Sequence, residues 1–233
     1  MKIQKLDFVE GAKQAEGITV IIDVFRAFSV ACYCFDKGVT KVIPVGEFTD
    51  ALSYKDESNT VVRIGERGGK KLSGFDFGNS PTEIQLEDLK NKVVVQTTHA
   101  GTQGLVNTRN ASEVLTGALV NAKATADYIK QQKPECVSLV RMGLGAAEST
   151  DEDDLCADYL ESLLLDKAFD ETEIRNRLIA SPCAERFLDA EKPWSPMSDF
   201  EYCTDVNKFD FVLRLVRSDK EMPYLERVSQ ALI

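Results

Sequence analysis

Residues 18–24 read ITVIIDV, and residues 27–38 read AFSVACYCFDKG. The first run is rich in apolar β-branched residues, which suits a strand covered on both faces, and Asp23 stands one position before its end. The second has helical spacing and is closed by Gly38. A buried strand, a polar turn and a helix form the opening of a parallel α/β unit. The same unit recurs along the chain. KVIPV (41–45) precedes EFTDALSYK, TVVRIG (60–65) precedes a glycine-rich stretch, and KVVVQTT (92–98) precedes GTQGLVNTR. ASEVLTGA precedes NAKATADYIKQQ, and CVSLVRMG (136–143) precedes a long helical run from Thr150. The spacing predicts an α/β fold, mainly a parallel sheet with helices on both faces. The stretch after Ser181, with Pro182, Pro193 and Pro196, is irregular, and FVLRLVR (211–217) alternates as an edge strand would. No repeat or linker divides the chain, so residues 1–233 read as a single domain.

Composition narrows the function. The 233 residues carry a formal charge of −10. No basic tract or aromatic–basic ladder offsets that charge, so nucleic acid is excluded as a partner. No apolar run approaches the ~20 residues that span a bilayer, so no membrane partner is expected. The N-terminal MKIQKLDFVEGAK lacks the apolar core of a signal peptide, and a cytoplasmic location is the expectation. The six cysteines form no CxxC pair and no zinc box, and read as reduced, mostly buried thiols. A homodimer is the base-rate expectation for the assembly.

In parallel sheets, ligands bind beyond the carboxyl ends of the strands. Past the first of these runs come Asp23, Arg26 and Ser29. Past TVVRIG come Glu66, Arg67, Gly68 and Gly69, and then GFDFGNSP (74–81) with Asp76, Asn79 and Ser80. Past KVVVQTT come Thr97, Thr98, His99, Gly101 and Thr102, and past CVSLVRMG come Gly143, Gly145 and the acidic run Asp151–Asp154. Arginines and glycine backbone favour an oxyanion. Carboxylates among them would repel it unless a cation intervenes, and Mg²⁺ shares hard oxygen ligands with phosphate. The rim therefore points to a magnesium-assisted site for a small, strongly anionic phosphorylated molecule. Each element has an ordinary alternative: a helix cap for Asp23, a surface ion pair for Arg26, a dipole-favoured helix start for Asp151–Asp154 and a plain polar role for His99. Several standard chemistries lack their motif. Cys136 and Arg141 stand too close for a thiol-phosphatase loop, Asp23-Val24-Phe25 lacks a second aspartate, and His99 has no Arg-His-Gly context. There is no GxxxxGK[ST] and no GxGxxG after the first strand.

These residues carry a resemblance. IIDVFRAFSV, GERGGKKLSGFDFGNSP, VVVQTTHAGTQG, TGALVNAKATADYI and MGLGAAESTDEDDLCADYL occur in the order of the corresponding segments of the 2-phosphosulfolactate phosphatase (ComB) family. The second is the most specific match, and FEYCTDVNKFDFV is similar to the C-terminal part. The resemblance implies a ComB-like α/β fold and Mg²⁺-dependent hydrolysis of (R)-2-phospho-3-sulfolactate in the coenzyme M route. By position it implies Asp23, Glu66, Asp76 and Asp153 as metal-ligand or acid–base candidates, with Asp23, Glu66 and Asp153 as the metal set. Arg26 joins the catalytic set. Arg67, Ser29, Asn79, Ser80, Thr97, Thr98, Gly101 and Thr102 are the anion-binding candidates. Phe28 and His99-Ala100 depart from the family pattern, which bears on the choice of substrate. Two rivals stand beside this reading: the same chemistry on another phosphorylated hydroxy acid, and a non-catalytic anion-binding module of the same fold.

Overall fold

The structure, a computed structural model, describes residues 1–55 and 60–229. Its first half runs β1 (Lys2–Asp7), α1 (Phe8–Gln14), β2 (Gly17–Ile22), α2 (Ala27–Asp36), β3 (Lys41–Pro44), α3 (Phe48–Ser53), β4 (Val61–Arg67), β5 (Lys70–Lys71), α4 (Pro81–Gln85), β6 (Val93–Thr97) and α5 (Gly101–Asn107). The second half runs β7 (Ala111–Gly117), α6 (Ala122–Gln132), β8 (Cys136–Arg141), α7 (Asp151–Leu164), α8 (Glu173–Ile179), α9 (Glu185–Leu188), α10 (Met197–Cys203), β9 (Phe211–Ser218) and β10 (Glu221–Ser229). The run read as a strand over 18–24 ends at Ile22, which leaves Asp23 and Val24 free for the turn. Among the described residues no helix is long and apolar enough to cross a membrane. All six cysteines are free, and Cys32, Cys34, Cys156 and Cys203 are buried.

The strands form a ten-stranded α/β sheet in the order β1-β8-β2-β7-β9-β10-β3-β6-β4-β5. It contains two parallel blocks. β1, β8, β2 and β7 make one, and β3, β6 and β4 make the other. Between them lies the antiparallel hairpin β9–β10, which meets β7 through the pair Leu115–Arg214 and β3 through Leu225–Val42. Each of these three steps reverses direction, so the second block runs opposite to the first.

This corrects the reading of residues 211–217 as an edge strand. β9 lies in the middle of the sheet, with Phe211, Leu213 and Leu215 packed into one core and Val212 into the other. The alternation that suggests an edge comes from Arg214 and Arg217, and neither is left to water alone. Arg214 pairs with Glu226 and Glu113, and Arg217 donates to the carbonyls of Leu105 and Thr108.

Helices cover both faces. Along β2 the side chains alternate: Ile21 enters the core with α1, α2 and α5, while Ile18, Val20 and Ile22 enter the core with α6 and α7. Every residue from Ala27 to Phe35 is buried, so α2 is enclosed on all sides, as its apolar sequence requires. Phe28, one of the departures from the family pattern, is wholly buried in that core. The first core joins the two blocks, since Ile21 and Met142 share it with Val42, Ile64 and Val94.

Besides the hairpin, α5 packing on β2 brings the blocks together. A Cβ at Gly104 would lie 2.6 Å from both Ile21 Cγ2 and Met142 Sδ, so only a glycine allows this approach. Gly104→Val is expected to destabilise the protein by about 1–3 kcal/mol through overpacking. Urea unfolding checks this, and a midpoint equal to that of the parent chain would exclude the tight α5–β2 contact.

Candidate active site

The strand ends of both blocks converge on three carboxylates, each of which ties two segments together. Asp23, just past β2, caps α2: its Oδ1 accepts from the Ala27 amide at 3.0 Å, and the Gly101 amide also acts on it. Asp153, in the first turn of α7, accepts from Val24 N at 2.9 Å and from Gly143 N at 2.8 Å. Glu66, at the end of β4, accepts from Gly69 N at 2.7 Å and from His99 N at 2.8 Å. The loops after β2, β8, β4 and β6 are thus joined by carboxylates accepting backbone N–H groups. Gly101 has to be a glycine here, because a Cβ would stand 2.7 Å from Asp23 Oδ2.

All three are buried, with Glu152 beside them. Burial pushes Asp23 up from 3.8 to about 6, and repulsion from Glu66 and Glu152 adds to the rise. Burial also holds Asp153 well above the carboxylate range, helped by the negative charges of Asp23 and Glu152. Burial raises Glu152 too, against the pull of Arg186, whose guanidinium lies 4.0 Å away. The acidic run after Thr150 divides accordingly. Glu152 and Asp153 face inward, while Asp151 is exposed and Asp154 pairs with Arg141 at 2.9 Å.

Among the described residues no three His, Cys, Asp or Glu side chains stand close enough to enclose a metal ion by themselves. The donor chemistry nevertheless fits Mg²⁺. Asp23, Glu66 and Asp153 are buried hard-oxygen groups that repel one another, and Mg²⁺ takes one or two carboxylates and completes its sphere with water and phosphate oxygens.

Other residues expected at the rim have different employment. Arg26 is an ion pair, and a buried one. It is 3% exposed and donates to Asp199 Oδ2, to Trp194 O at 2.8 Å and to Gly69 O at 3.2 Å. Asp76 does not join the carboxylates. It is exposed, and its Oδ2 accepts from Arg63 N at 2.7 Å, pinning the 74–81 loop along β4. Ser29 donates to Val24 O at 2.8 Å inside the turn after β2. Ser80 caps α4 and donates to Asp199 Oδ1 at 2.7 Å. Asn79 Oδ1 accepts from Gln96 Nε2 at 3.4 Å. Thr98 and Thr102 bond each other across the turn into α5, with Thr98 N donating to Thr102 Oγ1 at 2.9 Å and Thr102 N to Thr98 Oγ1 at 3.1 Å. Arg67 is half-buried and donates to Glu66 O, Gly46 O and Thr97 Oγ1. His99 is exposed, with its ring edge beside Gly145.

Two participants lie where the sequence offers little signal. Asp199 is fully buried in α10 and joins Arg26, Ser80 and the Thr82 amide. Trp194 lies against Gly69, with Lys70 Nζ 4.4 Å from its ring centre. Both belong to the irregular proline-containing stretch, where no periodicity shows which side chain turns inward.

The raised Asp23 has a definite pH consequence. Its folded value lies above its unfolded one, so the folded chain holds the proton more tightly. Stability is then lost as pH rises from about 4 to about 6, and the full penalty remains above that range. Asp23→Asn is expected to remove most of this dependence and to raise Tm at pH 7 by at least a few degrees. Melting curves from pH 4 to 8 without divalent cation check it, and a lower Tm for the variant at pH 7 would contradict the assignment.

Comparison with known proteins places the chain among its relatives. A model of the 2-phosphosulpholactate phosphatase family matches residues 5–218. A probable 2-phosphosulfolactate phosphatase of Bacillus subtilis (strain 168) is 32% identical over 213 residues, 91% of this chain and 92% of that relative. A protein of the same description from Carboxydothermus hydrogenoformans is 33% identical over 223 residues, again 91% of this chain and 92% of the relative. With the match running from β1 through β9 and taking in all three buried carboxylates, the chain belongs to the 2-phosphosulfolactate phosphatase family, a family of phosphoric monoester hydrolases.

Proposed function

We propose that the chain hydrolyses (R)-2-phospho-3-sulfolactate to 3-sulfolactate and phosphate in a reaction that requires Mg²⁺. The observation that carries this reading is the buried, mutually repelling set of Asp23, Glu66 and Asp153 where four strand ends meet. Such a set is costly to bury without a cation, and it is suited to one that also binds phosphate. Asp23 and Asp153 are the residues that would hold Mg²⁺, with Glu66 beside them. The ion would polarise the phosphoryl oxygens and lower the pKa of the attacking water.

The chain's own residues do the remaining work. Glu66, buried beside the pair Asp23 and Asp153 and held by the Gly69 and His99 amides, is the carboxylate that would take the proton of the attacking water. The mutually bonded Thr98–Thr102 turn fixes the start of α5, and Gly101 lets it approach Asp23 closely. Arg67, half-buried beside Glu66 and Thr97, supplies positive charge at the same rim. Water adds to phosphorus, the bond between phosphorus and the substrate's C2 oxygen breaks, and the proton taken from water by Glu66 passes to that oxygen as sulfolactate leaves.

A second reading keeps the chemistry and changes the acid. It is favoured by His99, exposed at the rim beside Gly145 at a position where the family pattern differs. Both readings are tested by phosphate release from phosphosulfolactate, phospholactate and phosphoglycolate, with Mg²⁺ and with EDTA. The expected result is Mg²⁺-dependent turnover that prefers the sulfonate. Preference for another acid moves the substrate, and no release from any of them by folded protein would leave an anion-binding module. Asp23→Asn is expected to lower kcat at least about 100-fold with Mg²⁺ present, as befits a metal-held water. Retention of full activity by that variant would remove Asp23 from the reaction.

A further inference from the structure

Asp199 has no part in the chemistry described so far, yet it is wholly buried and makes three contacts. It pairs with Arg26 Nη1, accepts from Ser80 Oγ at 2.7 Å and accepts from Thr82 N at 3.0 Å. Arg26 carries the connection onward, since its Nη2 donates to Gly69 O at 3.2 Å. Gly69 in turn donates its own N–H to Glu66 Oε2 at 2.7 Å, and the other Glu66 oxygen accepts from His99 N at 2.8 Å. An unbroken chain of hydrogen bonds therefore runs from α10 to a carboxylate of the site.

The link at Gly69 is the one that needs outside support. Gly68 and Gly69 have φ values of +59° and +81°, and two successive glycines give the turn between β4 and β5 little rigidity of its own. The Arg26 guanidinium holds the Gly69 carbonyl while Glu66 uses the Gly69 amide. Arg26 can remain there, 3% exposed, because Asp199 supplies the opposite charge. Without that charge, a buried guanidinium has to move towards water or towards another anion, and either movement releases Gly69.

We propose that Asp199 is a positioning residue for Glu66, acting through the Arg26 guanidinium on the Gly68–Gly69 turn. The inference rests on the proposal that this rim is the phosphatase site, but it concerns a contact chain that can be observed without turnover.

The test uses Asp199→Asn, which keeps the shape and removes the charge. Amide hydrogen exchange at Gly69 and His99 is expected to accelerate about tenfold or more, while the Ala27 amide, bonded to Asp23, stays protected. On a phosphoester that the parent chain hydrolyses, kcat is expected to fall at least about tenfold, with KM changed less than about threefold. Asp199→Glu, which restores the charge, is expected to recover part of kcat. In a Glu66→Gln background, Asp199→Asn is expected to cost little more, because both changes act on one carboxylate. Should Asp199→Asn fail to fold, Arg26→Met combined with Asp199→Leu removes both charges from the interior, and the same loss of protection at Gly69 and His99 is expected. Parent-like protection at those two amides in either folded variant would overturn the proposal, and so would fully additive kcat losses with Glu66→Gln. If the parent chain hydrolyses no phosphoester, the phosphatase reading fails, and exchange at Gly69 and His99 alone decides the role of Asp199.

Discussion

Three carboxylates buried within reach of one another's charge set the terms for the rest of the structure. An ionised carboxylate in an apolar interior is costly, and a neighbour of like charge adds to the cost. The fold offsets part of this with backbone N–H groups: Val24 and Gly143 at Asp153, Gly69 and His99 at Glu66, and Ala27 at Asp23. What remains uncompensated is visible in the upward displacement of Asp23 and Asp153. The same interactions that soften the electrostatic cost fix the four loops relative to one another, so electrostatic strain and tight bonding coincide at the site.

The architecture accounts for how these loops meet. In a single parallel sheet, the ends of neighbouring strands would gather naturally on one side. Here the two parallel blocks run in opposite directions, and the meeting depends on α5 from the second block lying on β2 of the first. Gly104 permits that approach, and Gly101, three residues earlier on the same helix, permits the approach to Asp23. One short helix thus provides both the packing contact and a wall of the site. Its two glycines are needed for the space they leave empty.

Much of the fold is legible in the sequence because its signals are local. ITVIIDV, KVVVQTT and CVSLVRMG declare buried strands by composition, and Asp23, Glu66 and Asp153 stand just beyond strands or at a helix start. Other features depend on partners far away in the chain. Asp76 looks like a ligand until its carboxylate is found on the Arg63 amide. Arg26 resembles an anion-binding arginine, but its anion is Asp199, 173 positions later. β9 resembles an edge because two arginines, Arg214 and Arg217, interrupt its apolar run, and their acceptors lie on β7, β10 and the end of α5. In each case the residue type reports a need for a partner, and the fold decides which partner meets it.

The hairpin at the centre of the sheet also bears on the order in which the protein can be made. β7 and β3 are interior strands only because β9 and β10 stand between them, and β9 and β10 are the last strands in the described sequence. During synthesis both halves of the sheet emerge with an open strand edge, the kind of surface that pairs readily with another chain. The nascent protein carries two adhesive margins until β9 and β10 leave the ribosome, and the sheet closes only after them.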